Sequence, residues 1–535
     1  MKARFTFFIL FLFLHSLEGI HAQTGYGRSV VPLKPQSPLF GKDIVVNDSS
    51  TQDQRNVVIC SAFNGWLYCV YSHQVNNLPY LTALISKDAG LTWEIIAYGP
   101  AYFLPSKVTN ISIIACGSSI SELRIFIGWT YYNSSAGWGG ATVSRFQAEP
   151  FQVEATPIVE SSYSRMYVSL CSDFPNPSPS SNPYSVAVLY CQPCFYDSLI
   201  CIISIDGGIN FSNHHIVAVP YCDIRKVNLS YGYSPSWNTG RFYAVWDEFP
   251  DTSAVQGHIY TARSISDVSS GFTIPLCIDS LDPSMINKCR NPVIATQFDN
   301  LNNDSLNLTS VILCEKYSSS TNSYDISGAY NKKAANTNDY IPFNLANTSN
   351  NEMQPDIAFN PGDTSFIVTY YNKELHQLPF LMNSQNLTNP NSWDVITPQY
   401  NDSPDIDDPE PMIAVNDSLN SGMTVWIKSS GSDNGVALFD AQYSIYTGIS
   451  EINFGSLARS IWIYPNPAAE KITVELTSAT LDGNLTIVNI EGQQLITRQI
   501  NELRTQIDIS TLPGGVYFVR LTNDKTVEVG KFVKE

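Results

Sequence analysis

Seven strongly apolar segments recur along the chain at a near-constant interval. They are Trp66–Tyr71 (WLYCVY), Leu123–Trp129 (LRIFIGW), Tyr184–Tyr190 (YSVAVLY), Arg241–Trp246 (RFYAVW), Leu308–Cys314 (LTSVILC), Ser365–Tyr371 (SFIVTYY) and Met423–Ile427 (MTVWI). Their first residues stand 57, 61, 57, 67, 57 and 58 positions apart. Short continuous runs rich in Val, Ile and aromatic residues predict strands buried on both faces. A more polar strand precedes several of them, most clearly Pro292–Gln297 (PVIATQ), Pro355–Asn360 (PDIAFN) and Pro411–Asn416 (PMIAVN). Proline is tolerated at a strand start because its missing N–H lies outside the ladder. Each interval holds about four short strands and no convincing helix. No such unit can bury both faces alone, whereas radial stacking gives all of them a shared core. The chain therefore reads as all-β, a seven-bladed β-propeller over residues 23–455, with six blades as the alternative. A β-helix has much shorter coils, and tandem sandwiches need larger units.

After Gly455 the long period stops. Ile461–Ala468 (IWIYPNPA), Lys471–Leu476 (KITVEL), Asn484–Leu495 (NLTIVNIEGQQL), Gly514–Leu521 (GGVYFVRL) and Lys531–Glu535 (KFVKE) show short alternating strands with Gly turns. They predict a small β-sandwich over 456–535. Three ordered motifs, Tyr464-Pro465-Asn466-Pro467, Gly515-Val-Tyr517 and a terminal Lys531-Phe-Val-Lys, resemble the C-terminal sorting domain of type IX secretion cargo. The resemblance implies the type IX machinery as partner and a secreted or outer-surface location on a Gram-negative bacterium. The start of the chain is consistent with that route. Lys2 and Arg4 precede the apolar run Phe7–Leu14, and Ala22 is a small residue suited to cleavage, so residues 1–22 read as a signal peptide. That run is too short to span a bilayer, and no later run reaches the length required.

Between the third and fourth predicted strands of the first unit lies ISKDAGLTWEII, with Ser86, Asp88, Gly90 and Trp93 in the pattern Ser-x-Asp-x-Gly-x-x-Trp. The third unit repeats it as Ser204, Asp206, Gly208 and Phe211, and Ser264–Phe272 and Asn383–Trp393 are eroded versions. In such a turn Asp accepts backbone N–H bonds, Gly takes a positive φ and the aromatic fills the gap between sheets. The pattern resembles the Asp-box, or bacterial neuraminidase repeat, of sialidase-like propellers. On that fold the turn lies on the face opposite the ligand, so the pattern marks structure and not chemistry.

Composition narrows the choice of ligand. The net charge is −18 with only 30 Lys plus Arg, which argues against nucleic acid or anionic membrane as partner. The ligand-face positions carry Arg55, Lys107, Arg165, Arg225 and Arg290 ahead of first strands. Asp247, Glu248 and Glu315 end second strands, and Glu352, Asp405, Asp408 and Glu410 lie in the last two units. Resemblance to sialidases implies three arginines for a substrate carboxylate and carboxyl groups for acid–base work. Arg55, Arg165, Arg225, Arg290, Asp247, Glu248 and Glu315 are the catalytic candidates under that reading. The Phe/Tyr-Arg-Ile/Leu-Pro motif of sialidases does not occur before Ser86. The aromatic group Trp129, Tyr131, Tyr132 and Trp138 is the expected sugar platform. The function expected is binding of an extracellular glycan or protein, with a sialidase-like glycoside hydrolase as the alternative.

The acidic run Asn401–Pro411 offers the oxygens Ca²⁺ takes but lacks the EF-hand spacing, and reads as a solvated loop. No motif indicates another cofactor or a bound metal. The 11 cysteines in an exported chain predict disulfides, with Cys60–Cys69 across a hairpin and Cys277 and Cys289 flanking one connection. Cys191-Gln-Pro-Cys194 has metal or redox spacing but no matching second pair.

Overall fold

A computed structural model describes most of residues 42–441 and 461–534. It does not describe 1–41, 48–52, 442–460 or several shorter stretches, among them 176–181, 193–197, 220–222, 235–238, 266–270, 298–307, 384–392, 417–420 and 465–467. The expected signal peptide, Cys194 and Pro465-Asn466-Pro467 lie outside the described residues. The chain forms two compact units, Met1–Tyr446 and Thr447–Glu535.

The described part of the first unit contains seven four-stranded antiparallel sheets. Sheet 1 runs Arg55–Ser61, Leu67–Val75, Leu78–Ser86, Glu94–Pro100. Sheet 2 runs Lys107–Cys116, Arg124–Asn133, Trp138–Gln147, Gln152–Ser162. Sheet 3 runs Val168–Ser172, Val186–Gln192, Ser198–Ser204, Asn213–Ala218. Sheet 4 runs Val227–Ser234, Thr239–Glu248, His258–Arg263, Leu276–Cys277. Sheet 5 runs Cys289–Thr296, Ser310–Ser318, Ser323–Asn331, Ile341–Ala346. Sheet 6 runs Glu352–Asn360, Ser365–Asn372, Phe380–Asn383, Asp394–Thr397. Sheet 7 runs Met412–Asn416, Ser421–Lys428, Val436–Ala441. Its fourth strand is Ile44–Val45 from the start of the chain, which pairs Ile44 with Phe439 and Val45 with Leu438. The first strand of each sheet lies against that of the next, and the seventh against the first. This is an all-β fold of the propeller kind, and no sheet closes on itself.

The continuous apolar runs are the second strands, and each is buried on both faces. In sheet 4, Phe242, Ala244 and Trp246 pack toward sheet 3, while Tyr243 and Val245 pack toward sheet 5. In sheet 3, Ala187 and Leu189 face sheet 4, and Val186, Val188 and Tyr190 face sheet 2. A strand between two neighbours has no polar face to show, which is why its sequence does not alternate.

Polar side chains lace adjacent first strands together. Val168 N–H donates to Asn110 Oδ1 at 2.8 Å and Leu170 N–H to Ser112 Oγ at 3.0 Å. Leu229 N–H donates to Ser169 Oγ at 3.0 Å, and Ile294 N–H to Asn228 Oδ1 at 3.1 Å. Ile413 N–H donates to Asp356 Oδ2 at 2.7 Å. Donor and acceptor lie 57 to 66 positions apart in every case. The sequence period is thus also the step from one sheet to the next.

The expected disulfides are not formed among the cysteines the structure places. Cys60 pairs in register with Tyr68, and Cys69 with Ile59. Neighbouring residues of a strand point to opposite faces, so the two sulfurs are on opposite sides of sheet 1. Cys60 packs toward sheet 2 and Cys69 toward sheet 7. Cys60, Cys69, Cys116, Cys171, Cys201, Cys277, Cys289 and Cys314 are free thiols.

The second unit is a two-sheet sandwich. One sheet holds Ile461–Tyr464, Lys471–Leu476 and Arg504–Asp508. The other orders Gln494–Ile500, Gly483–Asn489, Gly515–Thr522 and Val527–Lys534. Ile472, Val474, Leu485, Ile487, Val519 and Phe532 form its core. Tyr517 stacks on Phe532 with ring centroids 5.5 Å apart and donates its hydroxyl to the Pro513 carbonyl at 2.7 Å. Lys531 lies opposite Phe518 on the terminal strand. No helix among the described residues is long and apolar enough to cross a membrane.

Candidate functional site

The two Ser-x-Asp-x-Gly turns have the same construction. Ser86 donates to Asp88 Oδ1 at 2.8 Å and accepts from Gly90 N–H at 2.7 Å. Asp88 also accepts from Thr92 N–H at 2.9 Å and from the Thr92 hydroxyl at 2.6 Å. Ser204 donates to Asp206 Oδ1 at 2.7 Å and accepts from Gly208 N–H at 2.9 Å, and Asp206 accepts from Asn210 N–H at 2.9 Å. Trp93 meets Phe439 of sheet 7 edge-on at 5.5 Å, and Phe211 packs on the cluster containing Phe126 of sheet 2. Trp393, in an eroded copy, stacks on Phe343 of sheet 5 at 6.3 Å. Each aromatic is thus a wedge against the preceding sheet. Burial alone would raise the Asp88 carboxyl, but the bonds from Thr92 and Ser86 outweigh it and hold the group below its ordinary value. Replacing Asp88 with Ala should cost about 1–2 kcal/mol in urea unfolding and leave any ligand affinity unchanged. The deficit should shrink as pH falls through the carboxyl range, since a depressed carboxyl stabilises the fold only while ionised.

The second-strand carboxylates hold the inner strands in place. Asp247 is fully buried. Its Oδ1 accepts from Arg225 N–H at 2.9 Å and Lys226 N–H at 2.8 Å, and its Oδ2 accepts from Asn291 N–H of sheet 5 at 3.2 Å. Burial raises its carboxyl to about 6, with the backbone donors opposing the shift. Glu315 is also fully buried. It accepts from Arg290 Nε at 2.6 Å, Asn291 Nδ2 at 2.8 Å and Gln354 N–H of sheet 6 at 2.8 Å. Asn291 and Gln354 have φ of 52° and 53° and sit at bulges where the first strands begin. The bulge turns each N–H out of its own ladder toward the carboxylate of the preceding sheet.

The predicted arginines do not converge. Arg225 donates to Asp223 Oδ2 at 2.7 Å and to the Ala254 and Asp251 carbonyls at 2.6 and 3.0 Å, and lies over the Phe249 ring. Arg290 pairs with Glu315 and lies over Tyr324 at 3.9 Å. Arg55 pairs with Asp53 at 3.0 Å, and Arg165 lies over Tyr132 at 5.4 Å. Glu248 accepts from Trp246 Nε1 at 2.7 Å and stands opposite His258. Two of the four rings of the expected sugar platform are internal packing, while Tyr132 and Trp138 are half-buried. Trp129 and Tyr131 are 2% exposed, Trp129 Nε1 donates to the Ala101 carbonyl at 3.1 Å, and Tyr131 stacks on Tyr102 at 4.1 Å. These rings lie between sheets 1 and 2, where a second strand has two neighbours to contact. The acidic run is dispersed over separate partners, with Asp405 near Lys428 Nζ at 3.8 Å and Asp408 accepting from Gln354 Nε2.

A different group does converge. Glu410, just before the first strand of sheet 7, is exposed and has a φ of 45°. Its N–H donates to Gln354 Oε1 at 3.0 Å. Protein walls around it push its carboxyl above the ordinary value, and neighbouring Asp408 adds to this. Lys226 of sheet 4 and Arg55 of sheet 1 oppose the shift. Lys226 also lowers Asp356 of sheet 6, which burial raises to about 6. Charges from four sheets therefore act on one another at the strand-start mouth. Sequence reading had Arg55, Asp408 and Glu410 but not Lys226. Its position one residue before a first strand was the available signal.

The tail motifs have a match of their own. Residues 462–535 are a secretion system C-terminal sorting domain. A chain with this sorting domain is addressed to the secretion system that reads it, and so to the cell surface or beyond. No curated protein matches the chain. Among solved structures, an α-L-arabinofuranosidase of Fusarium graminearum in complex with arabinobiose is similar at 9% identity, with 75% of this chain and 97% of that chain covered and a TM-score of 0.44. The NanB sialidase from Streptococcus pneumoniae is similar at 9% identity, with 69% and 71% covered and a TM-score of 0.41. A protein of unknown function from Dyadobacter fermentans is similar at 11% identity, with 75% and 98% covered and a TM-score of 0.41.

Proposed function

We propose that the first unit is a seven-bladed, sialidase-like propeller bearing Asp-boxes, and that it binds a glycan or protein ligand at its mouth, outside the cell. The observation that carries this reading is the redistribution of charge. Asp247, Glu315, Asp356, Arg225 and Arg290 are occupied in holding backbone and one another and Arg55 pairs with Asp53, while Lys226 acts on Glu410 at the strand-start mouth. Mixed donors and acceptors of both signs suit hydroxyl-rich or zwitterionic ligands. The test is a glycan array and a binding titration on the mature full-length chain beside Lys226→Ala and Glu410→Gln. Both variants should lose roughly tenfold or more in affinity, about 1.4 kcal/mol, with unchanged melting temperature. Full affinity in both would exclude the mouth.

A second reading, a glycoside hydrolase, draws on Glu410. A carboxyl held above its ordinary value beside another carboxylate is the arrangement of an acid–base pair. Turnover of a fluorogenic sialoside that Glu410→Gln abolishes would establish this reading over simple binding.

A further inference from the structure

One cluster of metal-ligating side chains lies outside the mouth and takes no part in the proposed binding. On sheet 4, Tyr260 pairs in register with Cys277 and Trp246 with Tyr260. Asp279 opens a short 3-10 turn just after the strand of Cys277 and its Oδ1 accepts from Ile259 N–H at 2.9 Å, and Glu248 is opposite His258. Residues two apart on an extended strand share a face. His258 and Cys277 therefore lie on the side of the sheet that carries Tyr260, and the turn that begins at Asp279 brings its carboxylate to both. Asp279 is fully buried, whereas the His258 side chain is 31% exposed. The His258 Nδ1–Asp279 Oδ2 distance is 2.8 Å, Cys277 Sγ–Asp279 Oδ1 is 3.1 Å, and Cys277 Sγ–His258 Nδ1 is 3.9 Å. The three ligand atoms all lie within 4.8 Å of one another.

We propose that His258 Nδ1, Cys277 Sγ and an Asp279 carboxylate oxygen bind one divalent transition-metal ion of the zinc type. In a tetrahedral zinc site, bond lengths of about 2.3 Å to sulfur and about 2.0–2.2 Å to nitrogen and oxygen put ligand atoms about 3.3–3.6 Å apart. The observed separations, 2.8 Å from nitrogen to Oδ2, 3.1 Å from sulfur to Oδ1 and 3.9 Å from sulfur to nitrogen, bracket that range, so a small turn of the carboxylate and shifts of about half an ångström seat the ion. A soft thiolate, an imidazole and one carboxylate favour Zn²⁺ or Co²⁺ over Ca²⁺ or Mg²⁺. Binding replaces the Cys277 S–H bond with a metal–sulfur bond and releases that proton to solvent, while His258 carries its remaining proton on Nε2. The partly exposed imidazole edge leaves a fourth position for water or for Glu248.

A Cys–His–Asp nucleophile explains the same residues less well. Both the thiol and the carboxylate approach the same nitrogen, Nδ1, so the imidazole cannot relay a proton from one to the other through its two nitrogens.

The test uses the full chain, stripped of metal and titrated with Co²⁺ and Zn²⁺. One Co²⁺ per chain should bind, with a thiolate-to-cobalt charge-transfer band, and Zn²⁺ should displace it and raise the melting temperature. Cys277→Ser should abolish the band, and His258→Ala should weaken binding by roughly 100-fold or more. The metal-free Cys277→Ser variant should melt as the metal-free parent does, which separates ligand loss from misfolding. Absence of the band in the parent, its persistence in Cys277→Ser, or an unchanged Zn²⁺ response in both variants would overturn the proposal.

Discussion

Replacing Asp247 with Ala is expected to lower the stability of the first unit by about 2–4 kcal/mol at pH 7, read as a fall in the urea midpoint at unchanged slope. Three backbone N–H groups, of Arg225, Lys226 and Asn291, lose their acceptor in a fully buried place. Each orphaned donor costs about 1–3 kcal/mol, and part is returned because a buried carboxylate disappears. The same group should show in the pH dependence. Its carboxyl is raised from 3.8 to about 6 by burial, so the folded chain holds the proton more tightly than the unfolded one. The resulting stabilisation is complete below about pH 4 and is lost as pH rises through 6, amounting to about 3 kcal/mol. Asp247→Asn does not titrate. The stability difference between it and the parent should therefore change across pH 4–6.5 by that amount, in the parent's favour on the acid side. A constant difference would show that the carboxyl is not shifted.

Gly90→Ala and Gly208→Ala should each cost about 2–4 kcal/mol, more than the loss of the Asp88 side chain in the same type of turn. Gly90 has a φ of 94°, and an added Cβ would lie 2.0 Å from Phe439 Cε1. Gly208 has a φ of 76°, and its Cβ would lie 2.2 Å from Phe126 Cε1. Neither ring can withdraw, because both are fully buried between sheets. The left-handed backbone and the clash act together, so the loss should exceed that of Gly271→Ala, where φ is 81° but nothing lies within 4 Å. Thermal unfolding of the three variants checks the order. Equal losses would mean that the ring contact contributes nothing.

Much of the architecture is legible in the residues. A second strand flanked by two sheets has no polar face, so WLYCVY or YSVAVLY announces itself as a run. The roughly 60-residue interval between such runs is the sheet-to-sheet step, and the bonds Asn110 to Val168 and Asp356 to Ile413 span it. The Ser-x-Asp-x-Gly turns are equally readable, since their hydrogen bonds close within a few residues. The sorting tail is readable because its motifs are local and ordered.

The site was less legible. Asp247 and Glu315 are at the ends of second strands, where a carboxylate facing a ligand and a carboxylate holding a neighbour's backbone look alike. A bulge at Asn291 and at Gln354 decides between them by turning an N–H toward the acid. The Cys60–Cys69 pairing fails for a similar reason, because a shift of one residue in register moves a side chain to the other face. His258, Cys277 and Asp279 are 19 to 21 positions apart across the pairing, a spacing that matches no metal motif.

The sequence by itself thus determined the strands, their repeat, the turns between them and the address carried by the tail, all of which rest on contacts within one unit or on a period. The tertiary structure alone decided which carboxylates are buried, which charges meet at the mouth, and that Ile44–Val45 completes the last sheet. Those outcomes depend on register and bulges between strands of different repeats. They are fixed only when neighbouring sheets pack and every buried N–H must find an acceptor.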